Sequence, residues 1–138
     1  MKIHELKLDI NYFEDVKSRL KNFEIRKNDR DFQVGDILEL KAFDGGKYQY
    51  FNEEILTYLD CRESRADTIK VKVLEIFRPE QINRDLEIIK GGEYATNLHI
   101  ALFLKGILNV LKDYFKTDKV PDDYVVMGIE VVEWIEKI

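Results

Sequence analysis

The run Lys21-Asn22-Phe23-Glu24-Ile25-Arg26-Lys27-Asn28-Asp29-Arg30-Asp31-Phe32, closed by Val34-Gly35-Asp36, holds the densest chemistry in the chain. Phe23 and Ile25 alternate with Glu24 and Arg26, the period of a strand with one buried face and one wetted face. On the wetted face a carboxylate and a guanidinium sit at fixed spacing, and the loop that follows adds Lys27, Asn28 and Arg30. A carboxylate accepts hydrogen bonds and a guanidinium donates them in a rigid planar fork, so the pair suits a polar, planar and anionic ligand. Lys21, Glu24, Arg26, Lys27, Asn28 and Arg30 are therefore the candidate ligand-binding residues. Two ordinary readings stand beside this one. Glu24 and Arg26 pair equally well as a surface ion ladder of little energetic consequence. Asn28 and Asp29 build an Asx turn, to which Asp31 also belongs, and Arg30 is the better phosphate contact of the loop.

Elsewhere the chemistry is sparser. His4 shares a strand face with Leu6 and Leu8, which favours a buried, hydrogen-bonded imidazole over a catalytic one. The other histidine, His99, is far away in sequence. With no His-x-x-x-His or Cys-x-x-Cys spacing, neither a metal nor a cofactor is expected. Gly45-Gly46 and Gly91-Gly92 lack the spacing of a nucleotide phosphate loop and read as turns. Tyr48, Tyr50 and Phe51 form an aromatic cluster that either stacks on unpaired bases or, more commonly, packs between strands. Trp134 reads as core.

The 138 residues suffice for one hydrophobic core, and a single domain over 1–138 is expected. Apolar residues at 45% and charged residues at 36% exclude a disordered chain. One cysteine, Cys61, permits no intrachain disulfide and fits a reducing cytoplasm. The charged N-terminus and the interruption of Ile100–Leu111 by Lys105 and Gly106 speak against secretion and membrane spanning. A net charge of −5 disfavours indiscriminate adhesion to nucleic acid. Residues 17–30 nevertheless carry a local excess of four positive charges, a basic patch on an acidic body. Lys17 and Arg19 within it are accounted for equally well by the C-terminal end of a helix, where the dipole favours cations.

The elements that must position this run follow from periodicity. Ile3 to Leu8 alternates as a strand, and Asn11 is placed to cap a helix whose apolar stripe is Phe13, Val16 and Leu20. Strands are expected over Phe23–Lys27, Ile37–Phe43, Lys47–Leu59, Ile69–Phe77 and Tyr124–Trp134, with a tight hairpin at Asp44-Gly45-Gly46 and a charged loop over Cys61–Asp67. Arg78-Pro79 ends the fourth of these, a short helix covers Gln81–Ile89, and Asn97–Phe115 forms a longer helix with Leu98, Leu102, Ile107, Leu108, Leu111 and Phe115 along one stripe. The class is α+β: a curved, mostly antiparallel barrel-like sheet with an N-terminal helix and a helical insertion at about 80–118 before the last strand.

Lys21-x-x-Glu24-x-Arg26 after a short helix, Val34-Gly35-Asp36 opening a strand, and Tyr124-Val125-Val126-Met127-Gly128-Ile129 near the end resemble the ASCH domain of the PUA-like β-barrel superfamily. His4-Glu5-Leu6-Lys7 and Phe23 to Phe32 look like its small, uncharacterised bacterial and phage members. The likeness covers the first 43 residues and the last strand, and says little between Pro79 and Pro121. It implies a cleft lined by the Lys-x-x-Glu-x-Arg segment that binds RNA or a modified nucleoside, with His4 and Tyr124 as secondary candidates. Some small ASCH proteins are amidohydrolases that deacylate a modified cytidine, so Lys21 would then polarise a carbonyl or stabilise an oxyanion, and Glu24, or a carboxylate in the Glu80 to Glu93 segment, activate water. Those enzymes carry threonine where this chain has Glu24. A protein interaction module using the insertion is the third reading.

Overall fold

A computed structural model describes residues 1–92 and 98–135. Among them lie seven strands and three α-helices, and strand pairing is antiparallel except between the first and third strands. The fold class is thus the expected α+β, PUA-like one. The chain divides into two compact units, Met1–Lys21 with Gln33–Leu74 and Ile129–Ile138, and Asn22–Phe32 with Glu75–Gly128.

In the first unit β1 (Ile3–Asp9) runs parallel to β3 (Ile37–Asp44), so that His4, Leu6 and Leu8 pair with Leu38, Leu40 and Ala42. All six are buried, as their alternation requires. β3 turns through Gly45 and Gly46, both at positive φ (56° and 82°), into β4 (Lys47–Asn52). The stretch expected as one partner strand is in fact two. Asn52 Oδ1 accepts from the backbone N–H groups of Glu54 and Ile55, closing an Asx turn, and the chain returns as β5 (Thr57–Cys61). A 3₁₀ turn over Glu63–Arg65 then leads to β6 (Thr68–Phe77), whose Thr68–Lys72 pairs antiparallel with β3.

α1 (Ile10–Lys17) buries Phe13 and Val16. Its cap is Asp9, whose carboxylate accepts from Asn11 N–H at 2.8 Å, rather than Asn11 itself, because β1 runs one residue further than its alternation suggests. Arg19 adopts φ 68°, and the turn it makes throws Leu20 out of the apolar stripe to 81% exposure. Trp134, on β7 (Tyr124–Ile135), is half-buried rather than core, edge-on to Phe13 at 5.4 Å and covered by the Lys17 ammonium at 4.2 Å.

The second unit is built around β2 (Phe23–Lys27), antiparallel to Tyr124–Gly128 of β7, and two helices. Pro79 opens α2 (Pro79–Lys90) at its first position, where a missing N–H costs nothing. α3 (Leu98–Val110) continues into a π-helical turn over Leu111–Phe115. Its buried stripe is Leu104, Ile107, Leu108 and Leu111; Leu98 and Leu102, expected on it, are exposed. These residues pack with Ile82 and Leu86 of α2 and with Phe23, Ile25 and Val126 of the sheet. Asn83 pins the return loop by donating to the Val120 carbonyl and accepting from its N–H.

Gly106 is where α3 meets the sheet: a Cβ there would stand 3.2 Å from Cε1 of Phe23, whose ring is held edge-on by Phe103. Gly106→Ala is expected to be nearly neutral, since about 1 kcal/mol of helix propensity offsets the crowding. Gly106→Leu, which cannot fit, should lower the unfolding free energy by about 1–3 kcal/mol in urea titration. Equal stability of the two variants would show that Phe23 moves aside freely.

Candidate functional site

β2 delivers its side chains alternately. Phe23 and Ile25 enter the core of the second unit opposite Gly128 and Val126. Glu24 and Arg26 share the other face with their register partners Met127 and Val125. The periodicity was therefore sound and the wetting was not: Glu24 is 2% exposed and lies beside two buried apolar side chains. The expected surface ion ladder is a buried carboxylate closed by a guanidinium. Arg26 Nε and Nη2 both donate to Glu24 Oε1, at 2.9 and 2.6 Å. The Arg26 side chain keeps 23% of its surface exposed, so the pair is reached from its arginine end.

Beyond the strand the candidates separate. Lys27 is largely exposed, with its ammonium 3.8 Å from the Asp123 carboxylate. Asn28 contributes through its backbone, whose N–H donates to the Asp123 carbonyl at 2.8 Å and fastens the loop to the start of β7. Arg30 is exposed, Asp31 adopts φ 49°, and Phe32 turns inward and is buried. Tyr124, the register partner of Lys27, is half-buried with its ring edge-on to Phe115 at 5.5 Å.

Lys21 belongs to the first unit, Glu24 to the second. Lys21 is buried, its ammonium lying 5.4 Å from the centre of the Tyr12 ring and its backbone N–H donating to the Asp15 carbonyl. A lysine four residues past the end of α1 is thus held over an aromatic face.

The sequence reading overlooked Asp36. This residue, read only as part of the Val34-Gly35-Asp36 opening of a strand, is 1% exposed and gathers three donors. Lys2 N–H reaches Oδ1 at 2.9 Å, while Gln33 N–H and His4 Nε2 reach Oδ2 at 3.0 and 2.8 Å. Burial pushes its carboxyl upward, but these hydrogen bonds and the His4 charge outweigh it and hold the group at about 2. An ionised carboxylate only accepts, so His4 Nε2 carries the hydrogen. The available signal was a buried-face histidine together with an aspartate directly after a turn glycine. His4 accordingly serves this lock. The aromatic cluster packs in pairs, Tyr48 against Phe43 at 5.2 Å and Phe51 against Tyr58 at 5.1 Å. His99 is exposed on α3.

The arrangement defines an α+β protein of PUA-like class with a buried acid–guanidinium pair on one strand. A family model described as a domain of unknown function (DUF3850) matches residues 3–62. Among solved structures, the chain is similar to hypothetical protein PH0355 at 23% identity and TM-score 0.47, covering 96% of this chain and 100% of that one. It is similar also to protein PF0455 from Pyrococcus furiosus at 22% identity and TM-score 0.43, covering 96% and 99%. No curated protein matches. Among the described residues no helix is long and apolar enough to cross a membrane.

Proposed function

We propose that this chain is an ASCH-type module that binds RNA or a modified nucleoside, reading a base with the Glu24–Arg26 pair. The observation that carries the reading is the buried carboxylate bridged by a partly exposed guanidinium. A hydrophobic pair would fill the same space at equal or better stability, so such a pair on a strand is better explained by recognition than by folding. A base bearing an exocyclic amine donates to Glu24, while Arg26 swings to a ring carbonyl or phosphate, exchanging one charge-assisted contact for two. Lys27 and Arg30, both exposed in the segment that follows Arg26, add positive charge to that end of β2.

Calorimetric titration with cytidine, N-acylated cytidine and short RNAs tests this. Glu24→Gln should weaken cytidine binding by about 10–100-fold, the worth of one hydrogen bond to a charged group, and destabilise the fold less than Arg26→Met does, because the amide oxygen still accepts from a guanidinium that is partly exposed to water. Lys21→Met, read in the same titration, measures the share that the ASCH resemblance assigns to that lysine. Absence of binding to every nucleoside and RNA would discard the proposal. Release of free acid from N-acylated cytidine would instead establish the amidohydrolase reading, with Glu24 as the general base.

A further inference from the structure

The tip of the β4–β5 hairpin is built against its own sequence. Leu56 stands at φ 56° with 75% of its surface exposed, and Ile55 beside it is 60% exposed. Left-handed backbone crowds Cβ against the following carbonyl, so glycine or asparagine ordinarily occupies it. Leu56 is the only apolar side chain at positive φ among the described residues, and neither turn chemistry nor core packing accounts for it. Backbone held in such a region clusters at binding positions. Asn52 Oδ1, accepting from Glu54 and Ile55 N–H at 3.0 and 3.2 Å, fixes the tip, so both aliphatic side chains are presented to solvent. Glu53 and Glu54 are exposed beside them, and neither carboxylate has an ion-pair partner among the described residues.

A surface of opposite sign lies on α3. Leu104, Ile107, Leu108 and Leu111 turn inward, yet Leu98, Leu102 and Lys105, which follow one another by four and three residues along the outer face, are exposed. An ordinary surface helix carries polar side chains where these two leucines stand. α3 contains no acidic residue, and the Lys105 ammonium has no ion-pair partner among the described residues.

We infer that the hairpin tip of one copy of this chain docks on the outer face of α3 of a second copy, with Ile55 and Leu56 against Leu98 and Leu102 and the tip carboxylates facing Lys105. The occupant is a second copy because one sequence carries both halves: two exposed aliphatic side chains beside unpaired carboxylates, and two beside an unpaired ammonium. Aliphatic burial supplies the attraction, and the opposed charges select partner and register. Neither Glu24 nor Arg26 takes part, so the association stands apart from nucleoside binding.

Contacts of this size are weak, so sedimentation equilibrium of the full chain from about 10 μM to 1 mM should show a reversible rise in mean mass. Leu56→Asn should weaken association at least about tenfold while keeping or raising the melting temperature, since asparagine accepts left-handed backbone. Lys105→Glu and the double variant Glu53→Lys/Glu54→Lys should each lose association by placing like charges together. An equimolar mixture of those two should regain it, because every tip then meets a helix of opposite charge on the other variant. A folding defect cannot produce that rescue. A wild-type mass constant up to about 1 mM overturns the inference. So does association that persists in Leu56→Asn or Lys105→Glu, or a mixture no more associated than its components.

Discussion

Arg26→Met should cost about 2–3 kcal/mol of unfolding free energy, and the double variant Glu24→Gln/Arg26→Met should recover to within about 1 kcal/mol of the wild type while binding no nucleoside. The single substitution leaves a carboxylate, 2% exposed and flanked by Val125 and Met127, without its guanidinium. Removing one member of a buried ion pair typically costs about 3–5 kcal/mol; the partial exposure of Arg26 places this pair toward the lower end. Neutralising both members removes the charge the guanidinium had faced and keeps an amide in place of the acid. Urea unfolding of the four proteins closes the cycle. The informative pattern is recovery of stability without recovery of binding, because it separates what the pair does for the fold from what it does for a ligand. If the double variant were as unstable as the single one, the pair would be structural, and its claim on a base would lapse.

Much of this site was legible, and the part that was not has a definite cause. The alternation Phe23-Glu24-Ile25-Arg26 places two residues on each face of a strand from sequence alone, and both the strand limits and the pairing of faces follow from it. What alternation cannot give is whether the second face is covered. Glu24 was read as wetted because acids usually are, yet its register partner is Met127, which lies about a hundred residues further along the chain. Long-range register decides burial there, and no local pattern encodes it. The same limit separates Asn97–Phe115 as expected from α3 as found. Leu98 and Leu102 fit a helical stripe by spacing, but the side chains that pack begin at Phe103 and Leu104, where α3 meets Phe23 and the core it shares with α2. Where the signal was local, as in Asp44-Gly45-Gly46 with two positive φ angles in sequence, the turn was read correctly. Lys47–Leu59 failed at the one place where a side chain, Asn52, satisfies two backbone donors and so reverses the chain.

Asp36→Ala is expected to have the largest effect on stability of any single substitution in the first unit, about 3–5 kcal/mol, because it strands three donors at once. Lys2 N–H, Gln33 N–H and His4 Nε2 all terminate on this carboxylate, and through them Asp36 ties the start of β1 to the turn that opens β3. Its backbone joins the same junction, accepting from Val73 N–H, while Ile37 N–H donates to the Lys2 carbonyl. Asp36→Asn should cost less, on the order of 1–2 kcal/mol, since an amide oxygen still accepts but its NH₂ group opposes one of the donors. The lock also has an acid limit. In the unfolded chain the carboxyl titrates near 3.8, and in the fold near 2, so between those values the unfolded state binds more protons and stability falls as pH falls. The contribution is complete above about pH 4, declines through pH 2 and is worth on the order of 2 kcal/mol at neutrality. Urea midpoints measured from pH 6 down to pH 2 should therefore drop more steeply for the wild type than for Asp36→Asn, whose residue cannot titrate. Parallel curves for the two proteins would mean that the three donors contribute no net preference for the ionised form, and the carboxylate would have to be reassigned from lock to bystander.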